Sequence, residues 1–433
     1  MEAVILAAGW GTRLKPLTEN FPKPLLRVAG RELLYRHLRL LSERGVSKFW
    51  IIINPKHRQH YQEFRARHPE FDLEFIENPY PERGNGYSFY LAKDHVKGPL
   101  ILTMGDHVYE KDFVIQAVSL RGLIIDREGR FISPEEATKA LCLNGHIKAL
   151  GKDLKQFTGF DTGFFVLHEP QEAFSAAERL LQRKKEISLS EVMVEARIPC
   201  AELSGYLWMD VDTPADLKRA TRLLVKHGVK GGGDGLISRY LNRKVSTWVS
   251  ARVINFLSPN QATFLTTLLG LLAAATLAFS PKGAALLYQL SSMLDGMDGE
   301  IARASLRTTS FGGWLDSVLD RLVDFAFLAG LYLVWQPAFP WQQLVALCAF
   351  FGAIMVSYTA ERYYGAFQHP LYQDFPLLRY IPGKRDERVF LIMLGVLAGK
   401  IWETFLVLAL ITNLRVFLTL TLVCAKNLGQ HPA

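Results

Sequence analysis

Along the first half of the chain, apolar and charged residues alternate over short distances, whereas beyond Ala262 the apolar runs lengthen and almost lose their charges. In the first half, Ala3-Val4-Ile5-Leu6, Lys48-Phe49-Trp50-Ile51-Ile52-Ile53 and Leu100-Ile101-Leu102-Thr103 are short apolar runs of the kind that form buried strands. Helical periodicity fills the gaps, as over Arg31 to Arg44. Strands alternating with helices predict an α/β domain over residues 1–225, with a largely parallel sheet covered on both faces by helices. The apolar start, Met1 to Ala8, lacks a basic flank and is broken by Gly9-Trp10-Gly11. It therefore reads as a first strand rather than a secretion signal, which leaves this domain in the cytoplasm.

Between Lys226 and Gly235 the glycine density is too high for a helix or strand interior, which predicts a flexible linker over 226–235. The remainder, 236–433, reads as an all-α transmembrane domain of six helices, over about 262–280, 283–304, 312–335, 343–361, 386–400 and 402–425. Basic residues cluster on one side of these spans, among them Arg239, Arg243, Lys244, Arg303, Arg307, Arg362, Arg379 and Arg388, while the opposite connections hold Lys282 and Lys400. That asymmetry puts both termini in the cytoplasm, with Trp335, Trp341 and Trp402 near the outer interface. Leu236 to Phe256 mixes basic and apolar residues as an amphipathic helix in the headgroup layer does.

The net charge of +8 follows membrane flanks and motifs rather than forming a basic patch with interleaved aromatics, so no nucleic-acid partner is expected. Cys142, Cys200, Cys348 and Cys424 include no C-x-x-C pair and read as reduced packing residues.

Two constellations carry chemistry. Leu6-Ala7-Ala8-Gly9-Trp10-Gly11-Thr12-Arg13-Leu14 follows the first strand directly, and Pro22-Lys23-Pro24-Leu25 adds a cation in a stiff frame. Glycines after a strand let backbone N–H groups approach phosphate oxygens. These residues resemble the nucleotidyltransferase family, which implies a Rossmann-like fold in which Ala7, Ala8, Gly9, Gly11 and Thr12 bind a nucleoside triphosphate. By the same resemblance Arg13 and Lys23 are catalytic and contact its phosphates, and Asp106 is a ligand of Mg²⁺ or Mn²⁺. Asp210 matches the second metal carboxylate; Asp212 is the runner-up, with helix capping its other role. Gly84-Asn85-Gly86-Tyr87-Ser88 stands where sugar-activating members have Gly-Thr-Ala, which places Asn85 and Gly86 near the base and favours alcohol-type cytidylyltransferases. Lys152 and Asp161 are candidates for an acceptor pocket, ordinary loop and strand roles being the alternative.

The second constellation is Asp295-x-x-Asp298-Gly299-x-x-Ala302-Arg303, then eight residues, then Gly312-x-x-x-Asp316-x-x-x-Asp320. Spacings of three and four put each aspartate pair on one helix face. Four aligned carboxylates in apolar surroundings call for a divalent cation, and hard oxygen ligands favour Mg²⁺ or Mn²⁺. The pattern resembles the complete signature of the CDP-alcohol phosphotransferase family. That resemblance makes Asp295, Asp298, Asp316 and Asp320 metal ligands, with Asp320 also the general base. Asp298, Gly299 and Arg303 then face the nucleotide of the donor. Asp324 continues the face, either supporting the site or pairing with an arginine. Lys384, Arg385 and Arg388 suit an anionic acceptor and equally suit a basic membrane flank.

The two halves together resemble the bifunctional inositol-1-phosphate cytidylyltransferase / CDP-inositol phosphotransferases. That implies CTP, inositol 1-phosphate and CDP-inositol as substrates, a product leading to di-myo-inositol phosphate, and a homodimer formed through the membrane domain. Phospholipid synthesis from CDP-diacylglycerol beside a sugar or choline-phosphate nucleotidyltransferase is the alternative, and a nucleotide-sensing first half without catalysis is another.

Overall fold

A computed structural model describes residues 1–229 and 234–428. The chain divides into two compact units, Met1–His227 and Gly228–Ala433. Of the expected linker, Lys226 and His227 instead close the helix Pro214–His227, and residues 230–233 lie outside the described residues.

The first unit is built on a nine-stranded sheet. Glu2–Ala7 lies at its centre, parallel to both Lys48–Ile53 and Leu100–Met104. Its residues Ala3, Val4 and Ile5 are completely buried, which is why the run carries no polar alternation. Asp72–Glu77 extends the parallel half beyond Lys48–Ile53. The other half departs from the expected parallel pattern. Gly159–Leu167 runs antiparallel to Leu100–Met104, and it also pairs antiparallel with Gly122–Asp126 and Lys139–Leu143. Lys139–Leu143 and His146–Gly151 form a hairpin turned by Asn144-Gly145, both in the left-handed region (φ 51° and 76°). An Asn-Gly pair joining two short apolar runs is a hairpin signal, and it makes the sheet mixed.

Cys142 and Cys200 are joined as a disulfide, which corrects the expectation of free thiols; Cys348 and Cys424 are unpaired. The partners are 58 residues apart. They meet because the hairpin brings Gly145 O against the Cys200 N–H, at 2.9 Å.

The second unit is helical. Its principal helices are Arg243–Val253, Pro259–Thr276, Pro281–Leu294, Met297–Ala304, Ser310–Trp335, Pro340–Phe367, Arg385–Leu397 and Ile401–Leu428. Ser258 and Gln261 form a reciprocal cap at the start of Pro259–Thr276. Glycines mark close helix crossings: a Cβ on Gly352 would collide with Thr412, and one on Gly395 with Thr404. Pro340–Phe367 and Ile401–Lys426 are long and apolar enough to cross a membrane, with mean hydropathy 1.7 and 2.1. The helix expected over 283–304 is broken between Leu294 and Met297, and Gly296 at the break admits the guanidinium of Arg243.

The segment expected to lie in the headgroup layer has two faces. Tyr240, Trp248 and Phe256 are exposed, while Ser246 and Ser250 are fully buried. Both serines donate to Glu300, at 2.6 and 2.7 Å, and Arg243 adds an ion pair at 3.0 Å. Arg243 also grips Asp234 through two bonds of 2.9 Å. Glu300 is 0% exposed and holds the amphipathic helix to Met297–Ala304. Glu300→Ala strands three donors without an acceptor and is expected to destabilise the second unit by about 3 kcal/mol, whereas Glu300→Gln retains an acceptor and costs less. Thermal unfolding of the purified protein in detergent checks the order; equal midpoints for the two variants would refute the anchor.

Candidate active sites

The first site forms at the carboxyl ends of the parallel strands, where open α/β sheets hold ligands. Glu2–Ala7 leads into the glycine loop and Leu100–Met104 leads to Asp106. Gly11 has φ 62°, and a Cβ there would press within 3.2 Å of the Lys23 Cβ, so glycine is required on both counts. Thr18 Oγ1 donates to Gly11 O at 2.7 Å and closes the loop on itself. A cavity of about 290 Å³ results, lined by Ala7, Ala8, Gly9, Gly11, Thr12, Arg13, Lys23, Asn85, Asp106 and Asp212. Gly86 is not on this wall. Its missing Cβ lets the backbone lie against Ile187 and Ser188, and Asn85 Oδ1 accepts from Leu189 N at 2.7 Å.

Lys23 is 8% exposed and reaches Asp106 Oδ2 at 2.8 Å and Asp212 Oδ1 at 2.6 Å. Burial alone would lower its pKa, but the two carboxylates outweigh burial and raise it. Burial likewise opposes ionisation of Asp106, yet Lys23 and His107 hold it well below the usual carboxylate range. Arg13 pairs with Asp212 and, at 3.4 Å, with Glu136.

Asp212, the runner-up, thus shares the lysine with Asp106. The capping role belongs to Thr213 and Asp216, which bond reciprocally at 2.8 and 3.2 Å. Asp210 sits on the wall of a neighbouring cavity of about 140 Å³, with Lys152, Asp161, Gly163 and His107, while Asn85 and Met104 border both spaces. Burial raises the pKa of Asp210 despite His107, and that of Asp161 to about 6. His107 was not singled out from the sequence. Its Nδ1 lies 2.9 Å from Asp106 Oδ1, and it pairs across the strands with Asp210. Its one signal is adjacency to Asp106.

In the second unit, Asp295, Asp316 and Asp320 each present a carboxylate oxygen within 4.8 Å of the others. Three hard donors at that spacing fit a divalent cation. Asp298 accepts from Thr263 Oγ1 at 2.7 Å and from the Gly299 N–H. Thr263, in the Ser258-Pro259-Asn260-x-x-Thr263 stretch, therefore orients one signature aspartate. Arg385 Nη1 lies 2.7 Å from Asp295 Oδ2 and 3.0 Å from Asp320 Oδ1. A cavity of about 290 Å³ is lined by Asp295, Asp320, Arg321, Lys384, Arg385 and Arg388 among others. Asp298, Gly299, Arg303 and Asp316 lie off that wall. Arg303 donates to Gly228 O and crosses above Gly299, where a Cβ would stand 2.8 Å from Nη1.

Residues 2–120 match the nucleotidyl transferase family and residues 256–425 the CDP-alcohol phosphatidyltransferase family. Over 98% of both chains the sequence is 52% identical to the bifunctional IPC transferase and DIPP synthase of Aquifex aeolicus. It is 51% identical to that of Thermococcus kodakarensis, over 99% of this chain and 98% of the relative. The chain belongs to the family of bifunctional IPC transferases and DIPP synthases. It is an enzyme with a Rossmann-like nucleotidyltransferase domain followed by a helical CDP-alcohol phosphotransferase domain. Among solved structures it is similar to the inositol-1-phosphate CTP transferase from T. maritima, with 27% identity, a TM-score of 0.46, and coverage of 53% of this chain and 97% of that one.

Lys23→Met removes the cation between Asp106 and Asp212 and is expected to slow nucleotidyl transfer about 10²–10³-fold, measured by pyrophosphate release. A pH prediction follows from Asp161. Its pKa of about 6 exceeds that of an unfolded carboxylate, about 4, so the folded state loses stability as pH rises between these values and no further above them. Asp161→Asn escapes this loss while still accepting from Gly163 N. Its stability relative to the parent should therefore rise from pH 4 to pH 6 and then level off in thermal unfolding; a pH-independent difference would contradict a buried carboxylate.

Proposed function

We propose that the first unit joins CTP to inositol 1-phosphate, forming CDP-inositol and pyrophosphate. The second unit then transfers the inositol phosphate group of CDP-inositol to a second inositol 1-phosphate and releases CMP, a step towards di-myo-inositol phosphate. The observation that carries this reading is the presence, in one chain, of the Lys23–Asp106–Asp212 cluster beside the glycine loop and the Asp295–Asp316–Asp320 cluster beside Lys384, Arg385 and Arg388. The names of the relatives that align over nearly the full length support the same pairing of activities.

In the first reaction an oxygen of the acceptor phosphate attacks the α-phosphorus of CTP, and the bond to pyrophosphate breaks. Arg13 and Lys23 face the charge that develops there. Lys152 and Asp161 line the adjoining space that suits the polyol. In the second reaction an acceptor hydroxyl attacks the phosphorus bearing inositol, and the bond to CMP breaks. Asp320 takes the hydroxyl proton, and Lys384, Arg385 and Arg388 receive the acceptor phosphate.

Asp295, Asp298, Asp316 and Asp320 would hold Mg²⁺ or Mn²⁺ in the second unit, and Asp106 with Asp210 or Asp212 would do so in the first. The bound ion supplies polarisation of the diphosphate and stabilisation of the departing phosphate. The helical unit reads as a six-span membrane domain with both active sites on the cytoplasmic side. Two helices of sufficient length and the one-sided distribution of basic residues support that reading. Dimerisation through this unit belongs to the same proposal.

Purified protein with CTP, Mg²⁺ and inositol 1-phosphate, followed by phosphorus NMR, should show a CDP-inositol signal that decays into a phosphodiester. Pyrophosphate release with another alcohol phosphate but not with inositol 1-phosphate would overturn the substrate assignment. Asp320→Asn should accumulate CDP-inositol while the first reaction proceeds; loss of both activities would contradict separate sites.

A further inference from the structure

Asp324 lies beyond the four-aspartate signature, and neither proposed reaction uses it. It stands one helical turn past Asp320 on Ser310–Trp335 and is 8% exposed. Three donors converge on its carboxylate. Tyr288 OH and Arg385 Nε reach Oδ1 at 2.7 and 3.0 Å, and Arg388 Nη2 reaches Oδ2 at 3.2 Å. Tyr288 is buried and stacks on Phe327, with ring centroids 4.0 Å apart. A carboxylate in such surroundings is costly unless paired, and removing it would take from Arg388 its carboxylate partner and from Arg385 one of three.

A guanidinium is a rigid planar fork, so fixing one edge aims the other. With Nε of Arg385 on Asp324, its Nη1 points to Asp295 and Asp320, at 2.7 and 3.0 Å. Arg388 is held from both sides, by Asp324 and by Gly383 O at 3.0 Å. Both arginines line the cavity that contains Asp295 and Asp320, and Asp324 does not.

We infer that Asp324 is a positioning residue for the second reaction: it holds Arg385 and Arg388 at the cavity wall, within reach of the phosphomonoester dianion of an acceptor that enters there. This inference rests on the reading that the acceptor carries a free phosphate. Asp324 touches neither substrate and acts through the two guanidinium groups.

The test uses the full-length enzyme in detergent with Mg²⁺, CDP-inositol and inositol 1-phosphate. Asp324→Asn keeps the side-chain shape and removes the charge. It should raise KM for the acceptor by about tenfold or more, while kcat and the donor KM stay within about threefold. Pyrophosphate release in the first reaction should be unchanged. Binding of inorganic phosphate to the Mg²⁺-loaded protein, measured by calorimetry, should weaken in parallel. Tyr288→Phe removes one donor to the same carboxylate and should shift both quantities the same way by a smaller factor; it decides the matter where Asp324→Asn does not accumulate. An unshifted acceptor KM and phosphate affinity would overturn the role of Asp324, as would a fall in kcat alone. No turnover of inositol 1-phosphate by the parent protein would instead count against the substrate reading, and the phosphate-binding comparison would still judge Asp324.

Discussion

Carboxylates gather in a partly buried space only where a cation stands among them or a proton is taken up. Both sites are arranged around that constraint. In the first unit the cation is Lys23, delivered by a proline-framed turn to a point between Asp106 and Asp212. In the second it is Arg385, at the start of a helix, reaching Asp295, Asp320 and Asp324 at once. A cation fixed in this way lets anionic side chains approach each other. The two units meet the same electrostatic problem with unrelated backbones.

Each backbone supplies rigidity in its own manner. Parallel strands end side by side, so the glycine loop and Asp106 need only short connections to face one another. In the helical unit, the four-residue spacing stacks Asp316 and Asp320 on one face of Ser310–Trp335, while Asp295 and Asp298 stand on either side of the helix break. Thr263 secures Asp298 from a third helix, and Glu300 fastens the amphipathic segment alongside. Residues remote from the reacting atoms thereby set the distances among those that act.

Much of this was legible because motif residues lie close together in the chain. The run from Leu6 to Lys23 and the spacing from Asp295 to Asp320 are local patterns, and local geometry follows from them. What escaped depends on contacts between distant segments. Asp210 and Asp212 differ by two positions, and only the strand end at Asp210 separates the cavity that each one faces. Arg385 was readable as a cation near the site, but its choice of three aspartates depends on how the helices cross. The antiparallel half of the sheet has one local signal, Asn144-Gly145, which is weak beside the parallel pattern of the long apolar runs. The pairing of Cys142 with Cys200 had none, since it follows from that hairpin reaching a strand 58 residues away.

Asn85 has a consequence for how the two cavities of the first unit are related. Its side chain is pinned by the backbone of Leu189 and borders both neighbouring spaces. A ligand that displaced Asn85 from one space would alter the free energy with which the other space takes its own ligand. Thermodynamic reciprocity makes that coupling equal in both directions. The partition between the two spaces is therefore a shared wall, through which a displacement made from one side would be felt on the other.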